Sequence, residues 1–100
     1  MTKEQFSKIV KVIAESFDVE VEELLSRNKK GRVAMARLVL YDSLKYMGLN
    51  LVETGRKLGR DHATVRHGRR TFNDMKDSYE TFRIKADIIQ SKIKQIANEE

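Results

Sequence analysis

Two histidines and one aspartate are the residues whose types and spacing bear most directly on catalysis or metal binding. Asp61, His62 and His67 lie within one short stretch. On a helix the two histidines would point about 140° apart, whereas metal-binding pairs usually have i, i+3 or i, i+4 spacing. Asp61 directly precedes a segment of helical periodicity, so N-capping of that helix accounts for its carboxylate. We therefore expect neither a catalytic nor a metal site here.

The rest of the chain adds no catalytic signature. It has no cysteine, which excludes disulfides and thiolate metal sites. It has no glycine-rich phosphate loop and no nucleophile paired with a base. At 100 residues it is too short to hold an ATPase module beside another domain. The sequence thus predicts a protein that is not an enzyme, with no cofactor and no small-molecule substrate.

Cationic side chains are concentrated in the middle of the chain. Residues 27–70 carry 12 basic and 3 acidic side chains, whereas the remaining residues carry 8 basic and 12 acidic ones. Such a block attracts polyanions. Because it includes the capped helix described above, nucleic acid is a better candidate partner than an anionic membrane.

The helix that starts after Asp61 divides into an apolar and a polar face. Gly59 can reverse the chain before the cap, and a stripe at helical spacing should face a core: Val65, Gly68, Phe72, Met75 and Tyr79. The opposite side presents Ala63, Arg66, His67 and Arg70. Thr64 suits either a capping role or a contact with thymine and phosphate. This division is typical of a helix that enters the major groove of duplex DNA.

The elements that position this helix are predicted to be helical throughout. The chain has no proline and five glycines, and apolar residues recur at helical spacing, which indicates one all-α domain over residues 1–100 with about six helices. Thr2 and Gln5 form a capping box for a first helix, whose apolar stripe is Phe6, Ile9, Val10, Ile13 and Phe17. A short acidic helix over 21–26, with Leu24 and Leu25 inward, precedes a basic loop over 27–32.

The second half supplies a helix-turn-helix and a long last helix. A buried central helix is predicted from about Gly31 to Met47, ended by Gly48, and Asn50 caps a short helix that reaches Leu58. The glycine-containing turn at residues 59–60 joins that helix to the basic one, as in a helix-turn-helix. The last helix, about 80–97, carries the apolar residues Phe82, Ala86, Ile89, Ile93 and Ile96.

These residues resemble the C-terminal DNA-binding domain of DnaA-type bacterial chromosomal replication initiators. The strongest element is Arg60–His67, which is close to the family signature of Arg-Asp-His-Thr-Thr-Val, any residue and His. Supporting elements are residues 21–26 before the basic loop, residues 33–37 at the start of the long helix, and Gly55 and Gly59. The resemblance extends from about Phe6 to Met75.

The resemblance implies an all-helical bundle that binds a short duplex element, the DnaA box. The signature helix would enter the major groove, with Arg60, Asp61, His62, Thr64 and His67 in or beside it. Lys29 or Lys30 would reach the minor groove, Arg32 the backbone or minor groove, and Arg37 a phosphate. The complete set of candidate DNA-contacting residues is Lys29, Lys30, Arg32, Arg37, Lys57, Arg60, Asp61, His62, Ala63, Thr64, Arg66, His67 and Arg70.

Three positions depart from the family pattern. Ala63 replaces the first threonine of the signature, which keeps a methyl group but removes a hydroxyl. Leu38 stands where a polar residue is common, and Gly59 stands alone where two glycines are common. These departures leave DNA binding as the expectation but weaken the inference that the preferred sequence is the standard box.

The expected role is replication initiation or its regulation, in the cytoplasm at the nucleoid. No apolar run has the length of a membrane span, so no membrane contact is expected. The alternative is a free-standing regulatory or interaction protein, such as a transcriptional regulator, that binds DNA weakly or through a partner. Its last helix would then form a partner or self-association face. Met1 and the immediately capped first helix favour a free-standing protein over a fragment.

Overall fold

Seven helical segments make up the described part of the chain. The structure is a computed structural model, and it describes residues 1–99. The α-helices are α1 (Lys3–Phe17), α2 (Val21–Leu24), α3 (Gly31–Ser43), α4 (Leu51–Leu58), α5 (His62–Ser78) and α6 (Glu80–Ala97), and a 3-10 helix (Leu44–Met47) follows α3. Residues 1–99 contain no β-strand. The predicted all-α bundle of about six helices with a long C-terminal helix is confirmed.

Side-chain caps begin three helices at the predicted residues. Thr2 Oγ1 accepts a hydrogen bond from the Gln5 amide (3.0 Å), and Gln5 Oε1 accepts one from the Thr2 amide (2.8 Å). Asn50 and Glu53 form the same reciprocal box at the start of α4. Asp61 Oδ1 accepts from the Ala63 amide at 2.8 Å. These bonds satisfy amides that have no partner within their own helix.

Three details of the helices differ from the prediction. α3 ends at Ser43, and the chain continues to Met47 as a tighter 3-10 turn before Gly48 adopts a positive φ of 84°. Leu25 is 39% exposed rather than inward, because α2 ends at Leu24 after a single turn. Tyr79 is 61% exposed, because its extended backbone breaks the helical phase between α5 and α6.

The hydrophobic core is built around α3, as predicted for the central helix. Its residues Ala36, Val39 and Leu40 are at most 1% exposed, and α1, α5 and α6 all pack against it. The rings of Phe72 in α5 and Phe82 in α6 meet edge to face with centroids 5.6 Å apart. Burial on α3 therefore fixes α5, the predicted DNA-reading helix, to the rest of the bundle.

The bundle covers the main apolar stripe of α6 completely. The stripe residues are buried in the core: Phe82, Ala86, Ile89, Ile93 and Ile96. The expectation that part of this stripe stays open for a partner is wrong, because α1 and α5 pack over it. Two other residues of the helix, Ile84 and Ile88, are instead 50% and 54% exposed. Among residues 1–99, no helix combines the length and the apolar character needed to cross a membrane.

Candidate nucleic-acid interface

Two glycines allow α4 and α5 to approach each other closely. Gly59 ends α4 with a φ of 66°, a conformation that side chains disfavour. Gly55 lies against the turn, where the Arg60 amide donates to its carbonyl oxygen at 2.7 Å. A Cβ atom at residue 55 would clash with the Arg60 carbonyl oxygen. The tight turn of the helix-turn-helix therefore requires glycine at residue 55.

The inner face of α5 is anchored by close packing on α3. Val65 and Phe72 are at most 1% exposed, in agreement with the predicted stripe. Gly68 lies on the ring of Tyr41, so that a Cβ atom there would overlap the ring carbons. Only a glycine lets the two helices approach this closely, and this contact sets how far α5 projects from the bundle.

Arg69 also holds α5 in place. Its Nε donates to the Tyr41 carbonyl oxygen at 2.8 Å, and its Nη2 donates to Thr54 Oγ1 at 3.0 Å. Burial lowers the pKa of Arg69, and the nearby Asp42 carboxylate opposes that effect. One guanidinium thus links α5 to both α3 and α4. The inward orientation of Arg69 could be predicted from the sequence, because Arg69 follows Gly68, a residue of the buried stripe.

The outer face at the start of α5 is open. The predicted contact residues of this helix are all exposed: Asp61, His62, Ala63, Thr64, Arg66, His67 and Arg70. His62 Nδ1 lies 3.3 Å from Asp61 Oδ1. These side chains, all polar except that of Ala63, lie over the first turns of the helix, opposite the anchored face.

A cleft of about 550 Å³ separates this surface from the basic loop. Its lining residues are Arg27 and Lys29 from the loop, Arg37 and Tyr41 from α3, and Gly59, Arg60, Asp61 and Thr64 from the turn and α5. The structure therefore brings together the loop lysine and the start of the signature helix, which are more than 30 residues apart in sequence. We call this region, together with the exposed start of α5, the cationic cleft.

Sequence reasoning did not select two residues that line the cationic cleft. Tyr41 lines it together with the loop and turn residues, and a tyrosine within an apolar helix gives no sequence signal of this place. Arg27 belongs to the predicted basic loop, and its Nη2 lies 3.4 Å from the Gly59 carbonyl oxygen. The sequence could have indicated this role, because Arg27 belongs to the basic loop and every cation of a short loop is a candidate for a phosphate contact.

Arg60 is half-buried at the wall of the cationic cleft. Its Nη1 donates to the Leu58 carbonyl oxygen at 3.2 Å, and its Nη2 donates to the carbonyl oxygen of Ser26. The guanidinium thus joins the turn to the end of the α2 segment. A base contact by Arg60 would exchange these carbonyl acceptors for acceptors on DNA.

Arg37 lines the cationic cleft from α3, and its guanidinium is hydrogen-bonded within the bundle. Arg37 is 8% exposed, and its guanidinium donates to the carbonyl oxygens of Leu24 (3.0 Å), Asn28 (2.6 Å) and Glu23 (3.0 Å). Burial lowers the pKa of Arg37. The cation satisfies carbonyls at the end of α2 and in the basic loop, and therefore supports the loop from within the bundle.

Two predicted cations, Lys57 and Arg32, do not line the cationic cleft. Lys57 Nζ is 4.7 Å from the centroid of the Phe6 ring, on the side of α4 that faces α1. Arg32 Nη1 is 3.3 Å from Asp18 Oδ2, and its side chain lines an apolar groove with Phe17 and Met35. Lys30 is exposed at the N-cap of α3, beyond the loop turn in which its amide donates to Asn28 Oδ1.

Comparisons with known proteins identify relatives of this chain. The chain is 33% identical over 91 residues to the chromosomal replication initiator protein DnaA of Desulfotalea psychrophila, covering 90% of this chain and 19% of that protein. It is 32% identical over 87 residues to the DnaA of Flavobacterium psychrophilum, covering 85% of this chain and 18% of that protein. The chain therefore spans about a fifth of the length of these relatives.

A family model described as the bacterial dnaA protein helix-turn-helix matches residues 6–71. The match includes the basic loop, α4, the tight turn and the exposed start of α5. This chain accordingly belongs to the family of bacterial DnaA helix-turn-helix domains, the DNA-binding part of these replication initiators.

Proposed function

We propose that this chain binds duplex DNA sequence-selectively and without catalysis. The observation that carries the proposal is the cationic cleft, where an anchored helix exposes a polar face beside a basic loop. The start of α5 enters the major groove, and Lys29 and Lys30 contact the backbone or the adjacent minor groove. Arg27 belongs to this surface, and Arg37 lines the same cleft with its guanidinium bonded to carbonyl oxygens of α2 and the basic loop.

The roles of the α5 side chains follow from their chemistry. Arginine offers two donors to the O6 and N7 atoms of guanine, which suits Arg60 and Arg66. The methyl group of Ala63 suits contact with a thymine methyl. His62, Thr64 and His67 supply polar contacts to bases or phosphates, and Arg70 extends the cationic surface along the helix. Asp61 both caps α5 and lies at the groove edge.

The biological role that we propose is replication initiation or its regulation at the nucleoid. The curated relatives are named chromosomal replication initiator proteins. A regulator of replication or transcription that occupies the same DNA elements would use the same interface.

Binding to a DnaA-box duplex, compared with a randomised duplex pool, tests this function. Fluorescence anisotropy at near-physiological salt should show tighter binding to the box or to a related sequence. If about five to eight phosphates are neutralised, a plot of log K against log salt should have a slope of roughly −4 to −7. Equal affinity for the box, scrambled duplexes and heparin would contradict sequence selectivity.

Two substitutions separate base contacts from phosphate contacts. Arg60→Ala should reduce the preference for the box over the pool by about 1–3 kcal/mol. Lys29→Ala should weaken binding to both DNAs and lower the salt slope by about 1. Lys92→Ala removes an exposed lysine of α6 and serves as the matched control with unchanged binding. Circular dichroism of each variant verifies folding, and unchanged binding by both test variants would mean that the assigned surface is wrong.

A further inference from the structure

An apolar groove lies at the opposite end of α5 from the exposed signature residues. It occupies about 540 Å³ where the end of α1, the start of α3, the end of α5 and the start of α6 meet. Phe17, Met35, Met75 and Phe82 contribute much of its lining. Met35 and Met75 are only partly buried. Flexible methionine side chains can adapt to a bound apolar surface.

The apolar surface continues from this groove along the outer side of α6. Thr81 and Lys85 also line a second, shallower groove, together with Ile84 and Ile88. The two isoleucines are 50% and 54% exposed, and Tyr79 at the mouth of the first groove is 61% exposed. Isoleucines at i and i+4 form a helical stripe that the bundle leaves uncovered. We call this continuous surface the α6 groove.

The charged side chains in the lining of the α6 groove are both cationic. Arg32 and Lys85 line its deeper part, and Lys85 Nζ lies 4.7 Å from the centroid of the Phe17 ring. Arg32 pairs with Asp18 at 3.3 Å, but the two side chains are 65% and 95% exposed. Such a surface pair contributes little to stability, so Arg32 can exchange Asp18 for another carboxylate.

We propose that the α6 groove binds an acidic amphipathic helix of a partner protein. Apolar residues at i, i+3 or i+4 and i+7 of that helix would contact the methionines and isoleucines. Its carboxylates would pair with Arg32 and Lys85. A second copy of this chain would present the same two cations on the facing groove and no carboxylate of the groove lining to pair with them. The cationic groove therefore selects an acidic partner rather than a second copy of this chain.

This interaction is independent of DNA binding. Thr64 and Met75 lie on the same helix, and their separation along its axis is about 16 Å. The two surfaces thus belong to opposite ends of α5, and one molecule can use both. The proposal does not rest on the proposed function, because neither Lys85 nor Ile88 belongs to the cationic cleft.

A fluorescein-labelled helical peptide of about 15 residues, with leucines at i, i+3, i+4 and i+7 and glutamates elsewhere, tests the proposal. Anisotropy should give a Kd on the order of 1–100 µM that rises with salt. A peptide with lysine in place of glutamate and a scrambled acidic peptide should each bind at least about tenfold more weakly. Amide shift changes in 15N NMR spectra should centre on Met75, Thr81 and Ile88.

Matched variants locate the binding site. Lys85→Glu should weaken the acidic peptide at least about tenfold, and Lys11→Glu, the same charge change at an exposed residue of α1 outside the groove, should have a small effect. Ile88→Ser should weaken peptide binding by a similar factor. Val52→Ser on α4, where Val52 is 51% exposed, should leave peptide binding unchanged. Each variant's far-ultraviolet circular dichroism should match that of the parent chain.

Four outcomes would overturn the proposal. One is absence of acidic-peptide binding, another is shift changes confined to the cationic cleft, and a third is stronger binding of the lysine peptide. The fourth is sedimentation of the chain alone as a dimer that Ile88→Ser dissociates, which would assign the surface to self-association instead.

Discussion

At the scale of single residues, Gly68 and Tyr41 determine how closely α5 approaches α3. A Cβ atom at residue 68 would overlap the tyrosine ring, and the ring is 5% exposed with little room to move. Gly68→Ala should therefore destabilise the fold by about 1–3 kcal/mol through overpacking, measured by urea unfolding.

A second glycine provides the control for that substitution. Gly31 begins α3, and no atom lies within 4 Å of the place that a Cβ atom would take there. Gly31→Ala should therefore leave stability unchanged or raise it slightly. Equal effects of the two substitutions would show that helix propensity, and not the contact with Tyr41, explains the change at Gly68.

At the scale of elements, Arg37 connects α2 and the basic loop to α3. Replacing it with methionine keeps most of the alkyl chain but removes three hydrogen bonds to carbonyl oxygens. Arg37→Met should lower the free energy of unfolding by about 3 kcal/mol, because hydrogen bonds to charged groups are strong and the carbonyls lose their partner. Amide exchange in residues 28–30 should also accelerate.

Arg83→Met is the matched control for this element. Arg83 is exposed on α6, where its Nη2 lies 3.8 Å from Glu80, and its loss should change stability by less than about 1 kcal/mol. If Arg37→Met affects stability as little as Arg83→Met, the loop does not depend on the buried guanidinium.

The helices also differ in how far their interactions can be predicted from the sequence. Capping at Thr2, Asn50 and Asp61 depends on neighbouring residues, and the buried stripe of α5 depends on helical periodicity, so both are visible in sequence. The inward orientation of Arg37 depends on how α2 lies across α3, which no local pattern contains. The same reason explains the pairing of Arg32 with Asp18.

The two proposed binding surfaces also differ in how far they can be predicted from the sequence. The cations of the cationic cleft could be selected by composition and by the signature helix, although their grouping with Tyr41 could not. Ile84 and Ile88 lie outside the main stripe of α6 and look like ordinary surface positions until the bundle is assembled. A groove made from the ends of four helices has no sequence pattern of its own.

At the scale of the whole molecule, one core includes residues from α1, α3, α5 and α6. We expect residues 1–100 to unfold as a single cooperative domain. Urea transitions followed by circular dichroism at 222 nm and by tyrosine fluorescence should coincide, because Tyr41 lies between α3 and α5 while ellipticity reports on every helix. Two separated midpoints would contradict a single domain.

The inward orientation of Arg37 and Arg69 has a consequence for chemical footprinting. Both guanidinium groups donate to acceptors inside the bundle, so an arginine-directed reagent such as phenylglyoxal should modify them slowly in the folded chain. Arg69 and Arg70 are neighbours with identical side chains, yet Arg70 is exposed and should react quickly. Mass spectrometry of modified peptides could therefore use Arg69 as an internal reference, against which protection of Arg66 and Arg70 by a bound duplex is measured.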